Sequence, residues 1–516
     1  MSFNSEEIVQ NIRKEFESML HYVQASEERT ADEVERSLFK QLLGLGGQLL
    51  LLFFSVRASR YAHTALMTAE GVEIPYHSEK KRTYYSIFGK VPLWRPYFYK
   101  TGVGECSPLD EELSLGDDCY SDLMRELAEF LGVDVTYKKV RHFWSRLLGQ
   151  ALSTQAIQAM IAKDAGDVQA YYEQKPMPAV KSEATILVVQ ADGKGVPMVR
   201  EEAVATKSRL GKGEKRCKKK EAIVTSSYTI DPNPRTPEAV VASFFHQEST
   251  ASSSSQSRNH PQNKHTWATL DGKDAALSRL AVQVEKREGA HTQQRVALTD
   301  GCEALQKRVE THLPDFTLVL DFVHASEYLW KAANALHGEQ SDKRDPWVEQ
   351  QTLQILSGQT KSVIAELEHL AQRPKCSQAK RKAFTSAANY FQRNQPYMKY
   401  DEYLVKGWPI ASGVIEGACR HFVKDRCELS GMRWTQEGAE NLLHLRAVAE
   451  NDDWDDYHLF RKERRHQRLY ALPYSAQNGP EQQALTLSGS DKIIGFDHAA
   501  QNRHNRQLPN QQRLAA

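Results

Sequence analysis

Three carboxylates in this chain, Asp192, Asp300 and Glu416, stand where an acid can do chemistry. Asp192 closes the apolar run 184–192 and precedes Gly193-Lys194-Gly195. Asp300 closes the run 295–300 and precedes Gly301. Glu416 falls one turn into a helix that the segment Ala411-Ser412-Gly413-Val414-Ile415 opens, with Ser412 as its cap. Each has an ordinary explanation: an Asp-Gly turn, a helix cap, and a Glu416–Arg420 pair four apart, worth about 0.2–0.5 kcal/mol. Their separations, 108 residues and then 116, mean that only a fold can unite them. United, such hard oxygen ligands hold Mg²⁺ or Mn²⁺. Two ions bridged by a phosphate cut and join phosphodiester bonds.

The surrounding pattern predicts elements that would bring them together. Continuous apolar runs read as strands covered on both faces. Strands are predicted at 184–192, 221–230, 239–246, 295–300 and 316–321, with helices at 275–288 and 302–311. Three strands, then alternating helix and strand, is the order of an RNase H-like fold, whose last helix is expected at 412–427. Helical patterns between 325 and 405 read as an insertion before that helix. The expected class is therefore α/β: an RNase H-like core with a mixed five-stranded sheet and an α-helical insertion, spanning 180–470. Asp321, His324 and Glu327 follow the last strand at three-residue steps. Asp321 and His324 are expected to orient the site or the DNA.

Residues 1–75 read as helical, a hairpin or a dimer-forming coil, from Ile8, Ile12, Phe16, Met19, Leu20 and Val23. The apolar stretch Leu42–Phe54 is shorter than the roughly 20 residues of a membrane span, so a buried helix is expected. Residues 76–175 read as a β-hairpin at 82–100, then helices at 120–131, 136–148 and 154–163, a helix-turn-helix-like unit. A tail from 475 to 516 is rich in Gln, Asn and Arg and is expected to lack a core.

The chain has 516 residues and a net charge of only +1, so any basic surface must be local. Candidate DNA contacts are Lys138, Lys139 and Arg141 on the second helix of the three. Others are Lys212, Lys215, Arg216, Lys218, Lys219 and Lys220 after the first strand, and Arg433-Trp434. The stretch Phe460–Arg468 is also basic. Seven cysteines contain no CxxC pair, which fits a reducing cytoplasm with ordinary thiols. No Gly-x-x-x-x-Gly-Lys-Ser/Thr loop is present, so no ATP requirement is expected.

Several motifs occur in order: Ala191-Asp-Gly-Lys-Gly195, Leu298-Thr-Asp-Gly301, Asp321-Phe-Val-His-Ala-Ser-Glu-Tyr-Leu-Trp330, Ala411-Ser-Gly-Val-Ile-Glu-Gly417 and Ser430-Gly-Met-Arg-Trp434. The set resembles bacterial insertion-sequence DDE transposases of the ISKra-type group, related to the Mutator-like superfamily, over most of residues 70–470. The resemblance implies a triad matched by Asp192, Asp300 and Glu416, and a DxxH motif matched by Asp321 and His324. It also implies two Mg²⁺ or Mn²⁺ ions, DNA cleavage and strand transfer at element ends, terminal-repeat and target DNA as partners, a homo-oligomer, no membrane and a nucleoid-associated cytoplasmic place. Asp321 also ends a strand and competes with Asp300 as second acid. Asp300 is preferred because its strand follows the third strand and one helix. A nuclease without strand transfer, or a non-catalytic DNA-binding derivative, are the alternatives. Relatives often carry a cysteine-bearing ribbon after the hairpin, whereas this chain has Cys106 alone, so zinc is not expected there.

Overall fold

The structure is a computed structural model that describes residues 5–25, 28–61, 65–68, 71–199, 219–245, 259–374 and 376–470. Lys212, Lys215, Arg216 and Lys218, the serine-rich stretch 249–257 and the 475–516 tail lie outside the described residues.

The chain opens with two helices, α1 (Ser5–Gln24) and α2 (Ala31–Ser59). Thr30 and Glu33 form a reciprocal capping box at the start of α2. The expectation of a buried helix at Leu42–Phe54 fails: Phe54 is the buried residue of α2, while Leu42, Leu49 and Phe53 are exposed. Among the described residues, α2 is the one helix long and apolar enough to cross a membrane. Apolar composition does not fix burial, because it says nothing of whether a neighbour covers the helix.

Short strands β1 (Leu66–Met67) and β2 (Glu73–Ile74) lead into the hairpin β3 (Tyr76–Ser86) and β4 (Gly89–Lys100), extended by β5 (Gly104–Cys106). The turn sits at Ile87-Phe88, and Gly89 already pairs with Ser86. A short helix, α3 (Pro108–Glu112), precedes the three-helix unit: α4 (Asp122–Gly132), α5 (Tyr137–Leu148) and α6 (Thr154–Ala165). Ser121, Thr136 and Ser153 each cap a helix by accepting a backbone N–H. Gly149 ends α5 at φ +66°, a conformation suited to glycine. Then α7 (Val168–Gln174) leads to the Pro176–Pro178 linker.

The central sheet contains β6 (Ile186–Pro197), β7 (Lys219–Ile230), β8 (Gln262–Thr269), β9 (Gln294–Thr299) and β10 (Thr317–Leu320), in the spatial order β10-β9-β6-β7-β8. The pairs β6–β7 and β7–β8 are antiparallel; β6–β9 and β9–β10 are parallel. The crossovers are α9 (Lys273–Arg287) and α10 (Glu303–His312). The expected third strand at 239–246 is instead a helix, α8 (Pro237–Phe245), and the third strand is β8. Thr236 caps α8 by accepting the Ala239 N–H at 3.2 Å, and Pro237 suits the first turn. A short apolar run cannot separate strand from buried helix by period alone.

The helical insertion follows: α11 (Phe322–His337), α12 (Arg344–Leu356), α13 (Thr360–Gln372), α14 (Gln378–Asn394) and α15 (Tyr400–Val405). The chain returns through α16 (Gly413–Ala418), a π-helical turn (Cys419–Lys424) and α17 (Asp425–Cys427), and ends in α18 (Gln436–Glu450) and α19 (Trp454–Tyr470). The helix expected at 412–427 is present from Gly413 to Cys427, with a π-helical stretch inside it.

Side-chain alternation divides the sheet. Leu187, Val189 and Ala191 pack with α9 and α10. Ile186 and Val188 pack with the insertion, and Val196, Ala222 and Val224 with α4–α7, the π turn and α18. The core of the three-helix unit is therefore continuous with one face of the sheet, across the Pro176–Pro178 linker.

Candidate active site

The strand register sets the acids side by side. Gln190 of β6 pairs with Leu298 of β9, which pairs with Val319 of β10. Two residues further along each chain stand Asp192, Asp300 and Asp321. Asp192 does not end its strand: β6 runs on to Pro197, paired with β7 alone. An apolar run ends where burial ends, whereas a strand ends where its partner does. Asp192 thus marks the place where the sheet splits.

Glu416 reaches this level through specific ties. Gln190, 1% exposed, accepts the Ile415 N–H at 2.9 Å and donates to the Tyr228 hydroxyl at 3.1 Å. Gln190 shares the face of β6 that carries Asp192, two residues on. Phe322 donates its N–H to the Ile410 carbonyl at 2.8 Å. Ser412 holds the N-cap position but caps nothing with its side chain; its hydroxyl donates to Asp321 instead. The expected Ser412 cap is thereby corrected, since a buried carboxylate competes for the same hydroxyl.

Asp321 is fully buried and caps α11 by accepting the Val323 N–H at 2.8 Å. Burial raises its carboxyl pKa, opposed by the Ser412 and Val323 hydrogen bonds. His324 lies between acids, with Nε2 4.0 Å from Asp321 and 3.9 Å from Glu416, and Nδ1 3.9 Å from Glu327. Ligand atoms of Asp321, His324 and Glu416 all lie within 4.8 Å of one another. The Glu416 carboxyl pKa is raised by burial first, then by Asp321 and Asp192, against the opposing pull of His324. Cys419, on the π turn, donates its thiol to Asp192 at 3.3 Å, and burial with the Asp192 charge pushes that thiol up. The expected Glu416–Arg420 pair does not form: Arg420 is exposed, and the ion-pair partner of Glu416 among the described residues is His324.

Asp300 sits in a braced turn outside the Asp321–His324–Glu416 group. One carboxylate oxygen accepts the Cys302 N–H at 2.9 Å, and its carbonyl accepts the Tyr390 hydroxyl at 3.0 Å. Arg393 donates to the Gly301 carbonyl. Gly301 has φ +86°, and a Cβ there would lie 2.7 Å from the Tyr390 hydroxyl. Tyr390 stacks on Tyr328 with centroids 3.8 Å apart. The insertion thus supports the Asp300 turn, a role for Tyr390 and Arg393 that no local sequence signal carries. Gln190 and Cys419 were also missed, although the alternation that makes Gln190 a polar residue inside an apolar run was a usable sign.

Asp321, His324 and Glu416 converge at one end of the sheet, where the strand register also sets Asp192 and Asp300. Oxygen-rich donors with one nitrogen suit a hard divalent cation. Asp300 keeps lone pairs beyond its one accepted bond, so its turn does not bar it from ligation.

The other candidates divide. Lys138, Lys139 and Arg141 are exposed on α5, with His142 and Arg146. Lys219 pairs with Glu428, and Lys220 donates to Gln436 at 2.5 Å, so both hold the start of β7 against the segments around α17 and α18. Arg433 is exposed. Trp434 is 7% exposed and donates its indole N–H to the Cys427 carbonyl at 3.0 Å, which corrects its expected role as a base-stacking surface. The basic stretch Phe460–Arg468 turns inward in part: Arg461 and Arg465 are buried on Asp122. The chain matches no protein-family model and no curated protein.

Proposed function

We propose that this chain is an RNase H-like DDE transposase of an insertion sequence, cleaving DNA at element ends and transferring the strands. The observation that carries the reading is the common level of Asp192, Asp300 and Asp321 in the sheet, with Glu416 and His324 brought to Asp321 across a long helical insertion. The mixed sheet with order β10-β9-β6-β7-β8 supports it. Asp192, Asp300 and Glu416 would hold two divalent ions, which when bound activate the attacking water or 3′-hydroxyl and stabilise the leaving oxygen. Ser412 and Asp321 fix the start of α16, and His324 keeps Glu416 turned toward the strand ends. Gln190 sets its height. The exposed cations of α5 would neutralise phosphates of the bound duplex. Terminal-repeat and target DNA are the proposed partners, bound by a homo-oligomer in the cytoplasm.

A second assignment rests on the compact group itself: Asp321, not Asp300, as the second ligand. The test is cleavage and joining, with Mg²⁺, of a duplex carrying the DNA that flanks the gene. Asp192→Ala and Glu416→Ala should abolish cleavage and leave DNA binding within a few-fold. Undiminished cleavage in either variant would sink the proposal.

A further inference from the structure

At the free edge of the sheet, a cavity of about 480 Å³ opens between α7, the Pro176–Pro178 linker, β8 and the second half of α9. It is separate from the acidic end. Asp192 shares its level with Val224 and Ala268, whereas the cavity takes Asn263, Lys264 and His265, further back along β8 and two strands away from β6. Its volume lies within the range of small-molecule sites.

The lining is cationic. Lys175, Lys264, Arg279, Lys286 and Arg287 face one carboxylate, Glu173. Two of the cations are neutralised from behind: Lys175 by Asp453, and Arg287 by Glu183 at 2.8 Å. Glu173 accepts from Gln169 at 2.9 Å, and its carbonyl takes Lys286 at 3.1 Å. Arg279 has no ion pair among the described residues. Its guanidinium carbon lies 3.5 Å from the Trp267 ring centroid and 5.6 Å from that of Tyr172, and its Nε and Nη2 are buried without a hydrogen-bond partner. Burial pulls its pKa down to about 10, which still leaves it charged at neutral pH. His265 beside it is buried and held neutral, so it adds no charge. Arg279 is half-buried and Glu173 is the one carboxylate of the lining, so an anion in the cavity would meet a net positive wall. Tyr172, Met177 and Val282 give the cavity apolar walls.

We propose that this cavity binds a small phosphate ester, with the phosphate facing Arg279 and Lys264 and a flat or apolar body against Tyr172, Met177 and Val282. Planar guanidinium donors suit phosphate oxygens. The proposal stands apart from the reading of the acidic end.

The experiment is calorimetric titration of the full chain with adenosine monophosphate at fixed ionic strength, with adenosine as the uncharged control. One saturable site is expected for the monophosphate, with adenosine at least tenfold weaker. Arg279→Gln should lose at least tenfold in affinity. Lys264 is exposed, so Lys264→Glu is expected to keep the fold and to lose affinity several-fold; it decides the matter if Arg279→Gln does not fold. No saturable binding by the wild type, equal binding of adenosine, or unchanged affinity in the folded variants would overturn the proposal. Cleavage at the acidic end should be unchanged in Lys264→Glu without ligand.

Discussion

The carboxylates differ in what already occupies them. Asp321 is buried and spends its oxygens on Ser412 and Val323, whereas Asp300 gives one oxygen to a turn and keeps capacity at the other. Cysteine exchange separates a ligand from a support, because a thiolate prefers a softer ion than Mg²⁺. Asp300→Cys is expected to lose at least a hundredfold of cleavage in Mg²⁺ and to recover at least tenfold of it in Mn²⁺. Asp321→Cys is expected to lose activity with no such recovery. The reverse pattern would assign the second ligand to Asp321. His458 gives a residue-scale pH effect. Buried within α19, its pKa is lowered to about 3, mainly by burial and then by Arg461. Between pH 6.5 and 3 the unfolded chain takes up a proton that the folded chain refuses, so stability falls as pH falls through that window. From pH 7.5 to 5.5, His458→Gln should remove about 1 kcal/mol of this loss relative to wild type, measured by urea unfolding.

Single elements carry the site through a few contacts. Gln190→Leu would leave the Ile415 N–H and the Tyr228 hydroxyl unpaired in the core, at about 1–3 kcal/mol for such a loss. It would also free the start of α16. Cleavage should fall at least tenfold while DNA affinity stays within twofold; equal loss of both would mean general unfolding. Gly301→Ala meets a left-handed backbone and the Tyr390 hydroxyl together. It is expected to destabilise by about 1–3 kcal/mol, read as a lower urea midpoint. Helix α5 was legible in its bounds and its stop: Gly149 ends it, and Lys138, Lys139 and Arg141 are exposed on it. Replacing Lys138, Lys139 and Arg141 with Ala should weaken duplex binding for all sequences alike and flatten its salt dependence by up to about three charges. Helices α8 and α16 were less legible. Eight apolar-rich residues satisfy strand and helix alike, and the π turn after α16 answers to Asp192, which is more than 200 residues away in the chain.

At the scale of the whole molecule, the N-terminal and C-terminal thirds close around each other. Arg125 of α4 and Arg461 of α19 meet Asp164 of α6 inside the protein, at 3.4 and 3.2 Å. Glu129, fully buried beside them, has its carboxyl pKa pushed well up by burial and by Asp164. The domain boundary expected at the Pro176–Pro178 linker is a boundary in chain composition, but the apolar core crosses it. The insertion likewise is packed into the acidic end, because Tyr390 and Arg393 hold the Asp300–Gly301 turn. Helices α1 and α2 leave a run of large apolar side chains in the open, among them Phe16, Leu20, Leu42 and Leu49.

Sequence alone determined the elements whose signals are local. Apolar runs located four strands of the five, helical patterns with tight glycine turns located the helices of the N-terminal unit, and Asp-Gly steps marked two acids. These depend on backbone propensity and side-chain period over a few residues. Tertiary structure decided the rest: that 239–246 is a helix, that Trp434 is buried, that Ser412 serves Asp321, and that His324 rather than Arg420 meets Glu416. Each depends on which distant group competes for a hydrogen bond, a charge or a place in the core. The three acids of the opening were visible as residues; their common level came from a strand register that pairs Gln190, Leu298 and Val319.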